Sequence, residues 1–227
     1  MESLHPHRGF TLVELMVVLT IIVTISMAVL TSQSAFNKTL ILANTAYDVA
    51  LTLRLTETYG LGNSAFGTNV NTGYGLHFAG GAAPNNSSFI LFADIFPSVE
   101  SGSLSLCHTP PAYDPKGPSA QPGNCVYDGA AELKQTYKLN NGITINKFCA
   151  LTGGSVWYCT TTAGANKLLS LDIVFSRPNP TAFIRTTPSF DAITKACITL
   201  TSKQGNFKHI SITQSGQISA NAVGCPR

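Results

Sequence analysis

The chain has 227 residues, only 11% of which are charged, and its formal net charge is +3. A charged fraction this low is not typical of cytosolic enzymes, and Gly, Ser, Thr and Asn fill the polar positions, as in many secreted β-rich domains. The length allows a membrane anchor and one compact domain, and the small net charge neither requires nor excludes an anionic partner.

The N-terminal region combines a short polar segment with a long apolar one. Met1–Gly9 is polar and contains Arg8, whereas Leu12–Leu30 carries Glu14 as its single charge. As a helix the apolar run would span roughly 28 Å, close to the thickness of the hydrocarbon core of a bilayer. Two kinds of processing compete. A signal peptide would be cut after the run, among the small residues at 28–35, whereas a retained anchor would be cut before it.

The residues at the start of the run are Gly9-Phe10-Thr11-Leu12-Val13-Glu14-Leu15. They resemble the processing site of type IV prepilins and type II secretion pseudopilins. The resemblance implies that a prepilin peptidase cleaves between Gly9 and Phe10, and that Phe10 becomes the N-methylated N-terminus. The apolar helix would then stay on the mature protein.

Glu14 calls for an explanation, because a carboxylate inside an apolar span costs about 2.5–3.5 kcal/mol on insertion scales. The structural explanation is that Glu14 lies about one turn from the helix start, where the helix dipole stabilises an anion. The functional explanation is that cleavage after Gly9 exposes the α-amine of Phe10. Glu14 of one subunit can pair with that amine of a neighbour in a helix bundle. The resemblance favours the functional explanation.

The helix is expected to continue past the apolar run, since no Pro or Gly occurs between Phe10 and Gly60. The predicted helix runs from Phe10 to Tyr59, and Gly60 and Gly62 end it. Many members of the pilin family have Pro near position 31, where this chain has Thr31, and the difference favours a straight helix. In the second half of the predicted helix, apolar residues recur at helical spacing and form a stripe: Leu42, Ala46, Val49 and Leu53. Three polar residues lie outside this stripe: Asn44, Asp48 and Arg54.

From Leu61 onward the apolar pattern becomes that of strands and turns. Strands are predicted at 74–78, 88–93, 143–148, 169–176, 181–185, 196–200 and 208–212, followed by Ile218. In one of them Leu169, Leu171, Ile173 and Phe175 alternate with polar residues, which predicts a strand with a single buried face. Turns are predicted at 80–86, 153–155, 176–180, 203–206 and 214–217. The C-terminal third is therefore expected to form an antiparallel meander.

The order of motifs in this C-terminal third resembles that of H-type minor pseudopilins and related minor pilins. A strand ends in Phe175-Ser176-Arg177-Pro178, a hairpin follows, and Ile210-Ser211-Ile212 leads to a glycine. Leu55–Gly60 followed by Tyr74-Gly75 resembles the same subgroup. The subgroup resemblance and the proline-rich loop between 107 and 125 favour a minor rather than an abundant subunit.

All six cysteines lie beyond the apolar run, and none forms a Cys-x-x-Cys pair: Cys107, Cys125, Cys149, Cys159, Cys197 and Cys225. An even number in an exported domain predicts disulfides in an oxidising compartment, with free thiols as the alternative. The spacings and the few histidines do not favour zinc.

Cys107 and Cys125 flank the proline-rich loop, and a disulfide between them would close it. A three-residue hairpin loop at 153–155 places Cys149 opposite Cys159, whereas a two-residue loop places it opposite Tyr158. Cys197 and Cys225 then remain by elimination.

The sequence contains no pattern that indicates catalysis. It has no phosphate-binding loop, and Gly62-Asn63-Ser64-Ala65-Phe66 lacks the second glycine of a nucleophile elbow. Asp94 and Glu100, near Ser98 and Gly102, lack the spacing of a cation site. We therefore expect no enzymatic activity, no cofactor and no metal.

Together these patterns predict an α+β protein in which a long N-terminal helix packs on a disulfide-linked antiparallel β-sheet domain. The predicted segments are a leader at 1–9, a transmembrane and filament-core helix at 10–30, its amphipathic continuation at 31–60, and a periplasmic β-rich domain at 61–227. The resemblance implies a minor pilin or pseudopilin with a single span in the bacterial inner membrane, Arg8 being cytoplasmic. The subunit would then join a type IV pilus or type II secretion pseudopilus. The implied partners are other pilin subunits, the prepilin peptidase, the inner-membrane assembly platform with its ATPase, and membrane lipid.

Two alternatives stay open. A DNA-binding minor pilin for natural transformation would use basic residues near the C-terminus, and Lys203, Lys208, His209 and Arg227 are available. They do not form the cluster of cations that usually contacts phosphates, so nucleic acid is not the favoured partner. The other alternative is a single-span anchored domain that forms no polymer and keeps Met1–Gly9. The sequence does not distinguish a pilus from a secretion pseudopilus, or a tip subunit from a shaft subunit.

Overall fold

The structure is a computed structural model that describes residues 9–62, 64–69, 72–81, 85–95, 123–177 and 179–226; for 31–36, 85 and 179 it describes the backbone alone. The chain divides into two compact units, the first ending at Leu40 and the second beginning at Ile41. The fold class is the predicted one, because an N-terminal apolar helix is followed by antiparallel β-sheets.

The helix α1 spans Leu12–Leu61, a length of 50 residues. Thr11 caps its start, since the Thr11 hydroxyl oxygen accepts a hydrogen bond of 3.2 Å from the backbone N–H of Glu14. At the other end the N–H of Gly62 donates to the carbonyl oxygen of Thr58 at 2.9 Å. The helix thus has nearly the predicted extent, and the prediction was wrong about Gly60, which lies inside it.

Gly60 allows α1 to approach the sheet closely. A Cβ atom at this position would lie 2.7 Å from the carbonyl carbon of Phe175, which is closer than any real side chain tolerates. The glycine is therefore required by packing between the helix and a strand, and Gly62 follows as the first residue beyond the helix.

The strands form two five-stranded antiparallel sheets. The first has the order β3-β2-β1-β6-β7, and the second has the order β10-β9-β8-β4-β5. The bounds are β1 Gly73–Ala79, β2 Ser88–Asp94, β3 Leu133–Lys138, β4 Thr144–Thr152, β5 Trp157–Cys159, β6 Ser170–Ser176, β7 Asn179–Thr187, β8 Ile193–Thr201, β9 Phe207–Thr213 and β10 Ile218–Ser219. The expected single meander is thus divided, because β6 and β7 belong to the first sheet and β8 to β10 belong to the second.

The core of the second unit contains the predicted helix stripe. Leu42, Ala46, Val49 and Leu53 are buried and pack with apolar residues from both sheets. Asn44, Asp48 and Arg54 are exposed. The predicted orientation of this half of the helix is confirmed, because spacing at 3.6 residues per turn decides which side chains face the sheets.

The prediction for β6 was wrong, because both faces of this strand are buried. Leu171, Ile173 and Phe175 face the main core, and Val174 packs with Phe92 and Cys125 on the opposite side. The polar residue Asp172 is only 1% exposed. A central strand whose outer face is covered by another segment shows no useful alternation of polar and apolar positions.

Two disulfides lie in the second sheet and beside it. The hairpin between β4 and β5 has the three-residue loop 153–155, so Cys149 lies opposite Cys159, and these two cysteines are bonded with their Cα atoms 4.0 Å apart. Cys197 is bonded to Cys225. The predicted Cys107–Cys125 pair lies outside the described residues, because Cys107 does. No cysteine in the described ranges is free.

Candidate processing and assembly site

The predicted cleavage junction precedes the helix. Gly9 and Phe10 are not part of α1, and the side chain of Phe10 is 76% exposed. No atom would obstruct a side chain placed at Gly9 within 4 Å. A peptide bond outside regular structure, with accessible residues on both sides, is a suitable substrate for a peptidase.

Glu14 lies in the first turn of α1 and is exposed. Its backbone N–H is satisfied by the Thr11 cap, and the positive end of the helix dipole stabilises its negative charge. The ion pairs found among the described residues are Arg54 with Glu57 and His77 with Asp172. Glu14 belongs to neither pair, so its carboxylate remains accessible to a group from outside the chain.

The segment Leu12–Leu30 has a mean hydropathy of 2.5, and none of its side chains is buried. Its two threonine hydroxyl groups are satisfied within the helix, since Thr20 donates to the carbonyl oxygen of Val17 at 2.8 Å and Thr24 donates to that of Ile21 at 2.9 Å. By length and composition this helix is able to cross a membrane. Arg8, which was predicted to be cytoplasmic, lies outside the described residues.

Three buried carboxylates hold the segment 123–132 against the first sheet, a role that the sequence pattern did not predict for any of them. Asp94 accepts hydrogen bonds of 2.8 Å from the N–H groups of Asn124 and Cys125. Glu132 accepts hydrogen bonds from the N–H groups of Ile95 and Asp128, at 2.9 and 2.8 Å. Burial raises the pKa of Asp94 well above its usual value, although the two backbone hydrogen bonds act in the opposite direction.

The third of these carboxylates is that of Asp172, whose Oδ1 lies 2.7 Å from Nδ1 of His77. The N–H of Tyr127 lies 3.4 Å from the same oxygen. Burial raises the pKa of Asp172 above its usual value, and the hydrogen bond and charge of His77 reduce that rise. The sequence signal for this role was present, since Asp172 interrupts an otherwise apolar run in β6.

The hydrogen bonds of Asp94, Glu132 and Asp172 all go to groups within the chain. Within the described ranges, no three His, Cys, Asp or Glu residues are arranged to hold a metal ion. The other residues of the weak cation pattern, Glu100, Ser98 and Gly102, lie outside the described residues.

Three of the candidate DNA-binding residues lie on β9 or in the turn before it. Lys208 Nζ is 3.2 Å from Oδ1 of Asn221, and His209 Nδ1 is 2.9 Å from the hydroxyl of Thr199. Lys203 lies in the exposed turn between β8 and β9. Arg227 lies outside the described residues.

Comparison with known protein families explains the N-terminal segment. Residues 4–30 match the model of the prokaryotic N-terminal methylation motif. The match supports a type IV prepilin-like family. This motif is typical of structural pilin-type proteins, and with the apolar helix it fits a membrane-anchored pilin. The motif also suggests assembly with other pilin subunits. No curated protein and no solved structure was found to match the chain, so the resemblance to the H-type subgroup stays a prediction.

Proposed function

We propose that the protein is a minor pilin or pseudopilin, a structural subunit that joins or primes a type IV pilus or a type II secretion pseudopilus. The observation that carries the proposal is the methylation motif at residues 4–30, followed by an apolar helix with no buried side chain between Leu12 and Leu30. A helix that is apolar on every side needs lipid or other helices around it. The proline-rich loop and the subgroup resemblance support the minor role.

In this proposal residues 1–9 are a leader that a prepilin peptidase removes, and Phe10 is then N-methylated. Residues 10–30 cross the inner membrane before assembly and lie in the core of the filament afterwards. Residues 31–60 continue the helix, and residues 61–227 form the periplasmic domain. An oxidising periplasm is consistent with the two disulfides of that domain.

Assembly in this proposal depends on Glu14. Cleavage produces an α-amine at Phe10, which is largely cationic because such amines have a pKa of about 8. In the weakly polar interior of a helix bundle, the accessible carboxylate of Glu14 pairs with the Phe10 amine of a neighbouring subunit. The pair sets the axial register of each helix, and the assembly platform and its ATPase drive the insertion.

The test is mass spectrometry of the N-terminus of the protein purified from membranes of a host with a prepilin peptidase. We expect residues 1–9 to be absent and Phe10 to carry one methyl group. A Gly9→Val variant is the matched control, and it should retain the leader because the branched side chain obstructs the scissile bond. Intact Met1–Gly9 on the wild-type protein would instead indicate a plain anchored domain that forms no polymer.

A further inference from the structure

Three polar side chains form a row on one face of the second sheet. Lys147 on β4 is opposite Thr199 on β8, and Thr199 is opposite His209 on β9. Residues that face each other across antiparallel strands project to the same side of the sheet. The neighbouring row on that side contains Cys149, Cys197 and Ser211, so this face is turned away from the core, which the side chains of Phe148, Ile198 and Ile210 fill.

A β-bulge brings Lys147 into this row. Ile145 pairs with Leu200 and Lys147 pairs with Thr199, so Asn146 is an extra residue without a partner on β8. Without the bulge, strict alternation would place Lys147 on the same side of the sheet as Ile145, which is in the core. Bulges of this kind redirect side chains and are frequent beside functional sites.

Lys147 is unusually buried for a lysine. Only 8% of the residue is exposed, whereas lysines are almost never enclosed unless their charge is paired. The two ion pairs among the described residues involve Arg54, Glu57, His77 and Asp172, and not Lys147. No carboxylate among the described residues pairs with Lys147, so its ammonium group is available to bind an anion from outside the chain.

A cavity of about 330 Å³ lies beside this row. Its lining consists of Asn146, Lys147, Thr199, Phe207 and His209. The lining contains a cation, an amide, a hydroxyl and an imidazole but no carboxylate, so its electrostatic character favours anions. Phe207, which is 53% exposed, adds an aromatic surface at the same place.

A second cleft adjoins the cavity and has the same electrostatic character. It shares Asn146 and Lys147 with the cavity and adds the exposed Lys167 and the hydroxyl groups of Thr160 and Thr161. No Asp or Glu lines it. The hydroxyl oxygen of Thr160 is buried without a hydrogen-bond partner in the part of the chain that the structure describes. The bulge therefore lies between two cavities that both lack acidic residues.

We propose that this face of the second sheet binds a small organic anion. The ammonium group of Lys147 holds the phosphate or carboxylate group, and the hydroxyl of Thr199 and the amide of Asn146 supply further hydrogen bonds. A flat or apolar part of the same molecule contacts Phe207. The site is independent of the N-terminal motif, and its existence does not require that the protein forms a filament.

The test is isothermal titration calorimetry of the full chain in a non-ionic detergent, with phenyl phosphate and benzoate as probes. These two probes distinguish a phosphate from a carboxylate, and phenol, which has the ring without the charge, is the negative probe. We expect saturable binding of at least one anionic probe and none of phenol. A Lys147→Met variant should weaken that binding about tenfold or more, because it removes a charge-assisted hydrogen bond.

A matched control is Lys195→Met, which removes a lysine from β8 of the same sheet that lines neither cavity. It should bind the probes as the wild-type protein does. Methionine keeps a long unbranched side chain at this position, so a folding failure of Lys147→Met is not expected. Phe207→Ala, at an exposed position, gives a second test: it should weaken binding of phenyl phosphate more than binding of inorganic phosphate. Equal binding by Lys147→Met and Lys195→Met, or binding of phenol as tight as that of the anions, would overturn the proposal.

Discussion

The first and last parts of α1 have the same secondary structure and opposite surroundings. Between Leu12 and Leu30 no side chain is buried, whereas Leu42, Ala46, Val49 and Leu53 are among the most buried residues of the protein. The first part is apolar on every side and the last part only along a stripe, so only the last part can satisfy its apolar face within its own domain. The apolar content of a helix alone therefore does not indicate which part is buried, whereas the spacing of its apolar residues does.

The polar groups of the two regions differ in the same way. In the first region the threonine hydroxyls bond to carbonyl groups of their own helix, and Glu14 is the single charge. In the second region buried carboxylates bond to distant backbone groups, as Asp94 does to Asn124 and Cys125. The first region thus satisfies its threonine hydroxyls within the helix but leaves its apolar side chains unpacked. A subunit that assembles through this helix requires such an unpacked apolar surface.

The strongest prediction concerns Glu14, the single charge in the first part of α1. Glu14→Ala should leave membrane insertion and cleavage intact, because removing a charge from an apolar span lowers the insertion cost. Incorporation into the filament should fail, since losing one partner of a buried ion pair costs about 3–5 kcal/mol. The measurement is the amount of processed protein in sheared filament and membrane fractions.

Asp48→Ala is the control for Glu14→Ala, because it removes an exposed carboxylate from the same helix. It should be incorporated like the wild-type protein. If Glu14→Ala were incorporated equally well, Glu14 would have no role in assembly, and the filament proposal would depend on the processing motif alone.

The second effect concerns the buried stripe. Val49→Asp should destabilise the protein by about 3–5 kcal/mol, because it places an unpaired charge in the core. Asn44→Asp introduces the same side chain on the exposed face and should change the free energy of unfolding by about 0.5 kcal/mol or less. Denaturant unfolding of the full chain in mild detergent measures both, and the reverse ranking would mean that the helix packs on another face.

A third prediction concerns the contact between the C-terminal end of α1 and β6. Gly60→Ala should cost about 1–3 kcal/mol, because the added methyl group overlaps the backbone of Phe175 and forces the helix away from β6. Gly154→Ala is the control, since nothing lies within 4 Å of a Cβ at that position. Thermal melts of the two variants should differ clearly, and equal melts would show that the contact with Phe175 adjusts without cost.

The last prediction is a pH dependence of the stability of the second unit. Because burial raises the pKa of Asp172 and Asp94 in the folded state, the folded protein binds more protons than the unfolded chain at pH values above the ordinary carboxyl pKa. Stability should therefore rise as the pH falls from neutral towards the ordinary carboxyl pKa of 3.8, by at most about 1.4 kcal/mol per pH unit for each carboxyl group. Melting temperatures between about pH 7 and pH 5 measure this slope.

Asp172→Asn should make the slope shallower, since the amide does not titrate. Asp191→Asn, at an exposed position, should leave it unchanged. A wild-type protein that loses stability over this range would show that the hydrogen bonds to the carboxylates outweigh their burial.

Sequence reasoning predicted those features that depend on neighbours close along the chain. The extent of α1 and its buried stripe follow from the 3.6-residue period, and the turn at 153–155 decides that Cys149 is opposite Cys159. The processing motif is also local, because it comprises consecutive residues from Gly9 to Leu15, and the matched methylation motif covers it.

Only the tertiary structure decided the features that depend on strands distant in sequence. Asp172 is buried, and Gly60 packs against Phe175, because segments more than thirty residues apart meet there. The strands β7 and β8 are consecutive in the chain but belong to different sheets. The position of Lys147 depends on one extra residue in β4, which shifts the register against β8. No local period contains this information, because a one-residue shift in pairing moves a side chain to the other face of the sheet without any change in sequence pattern.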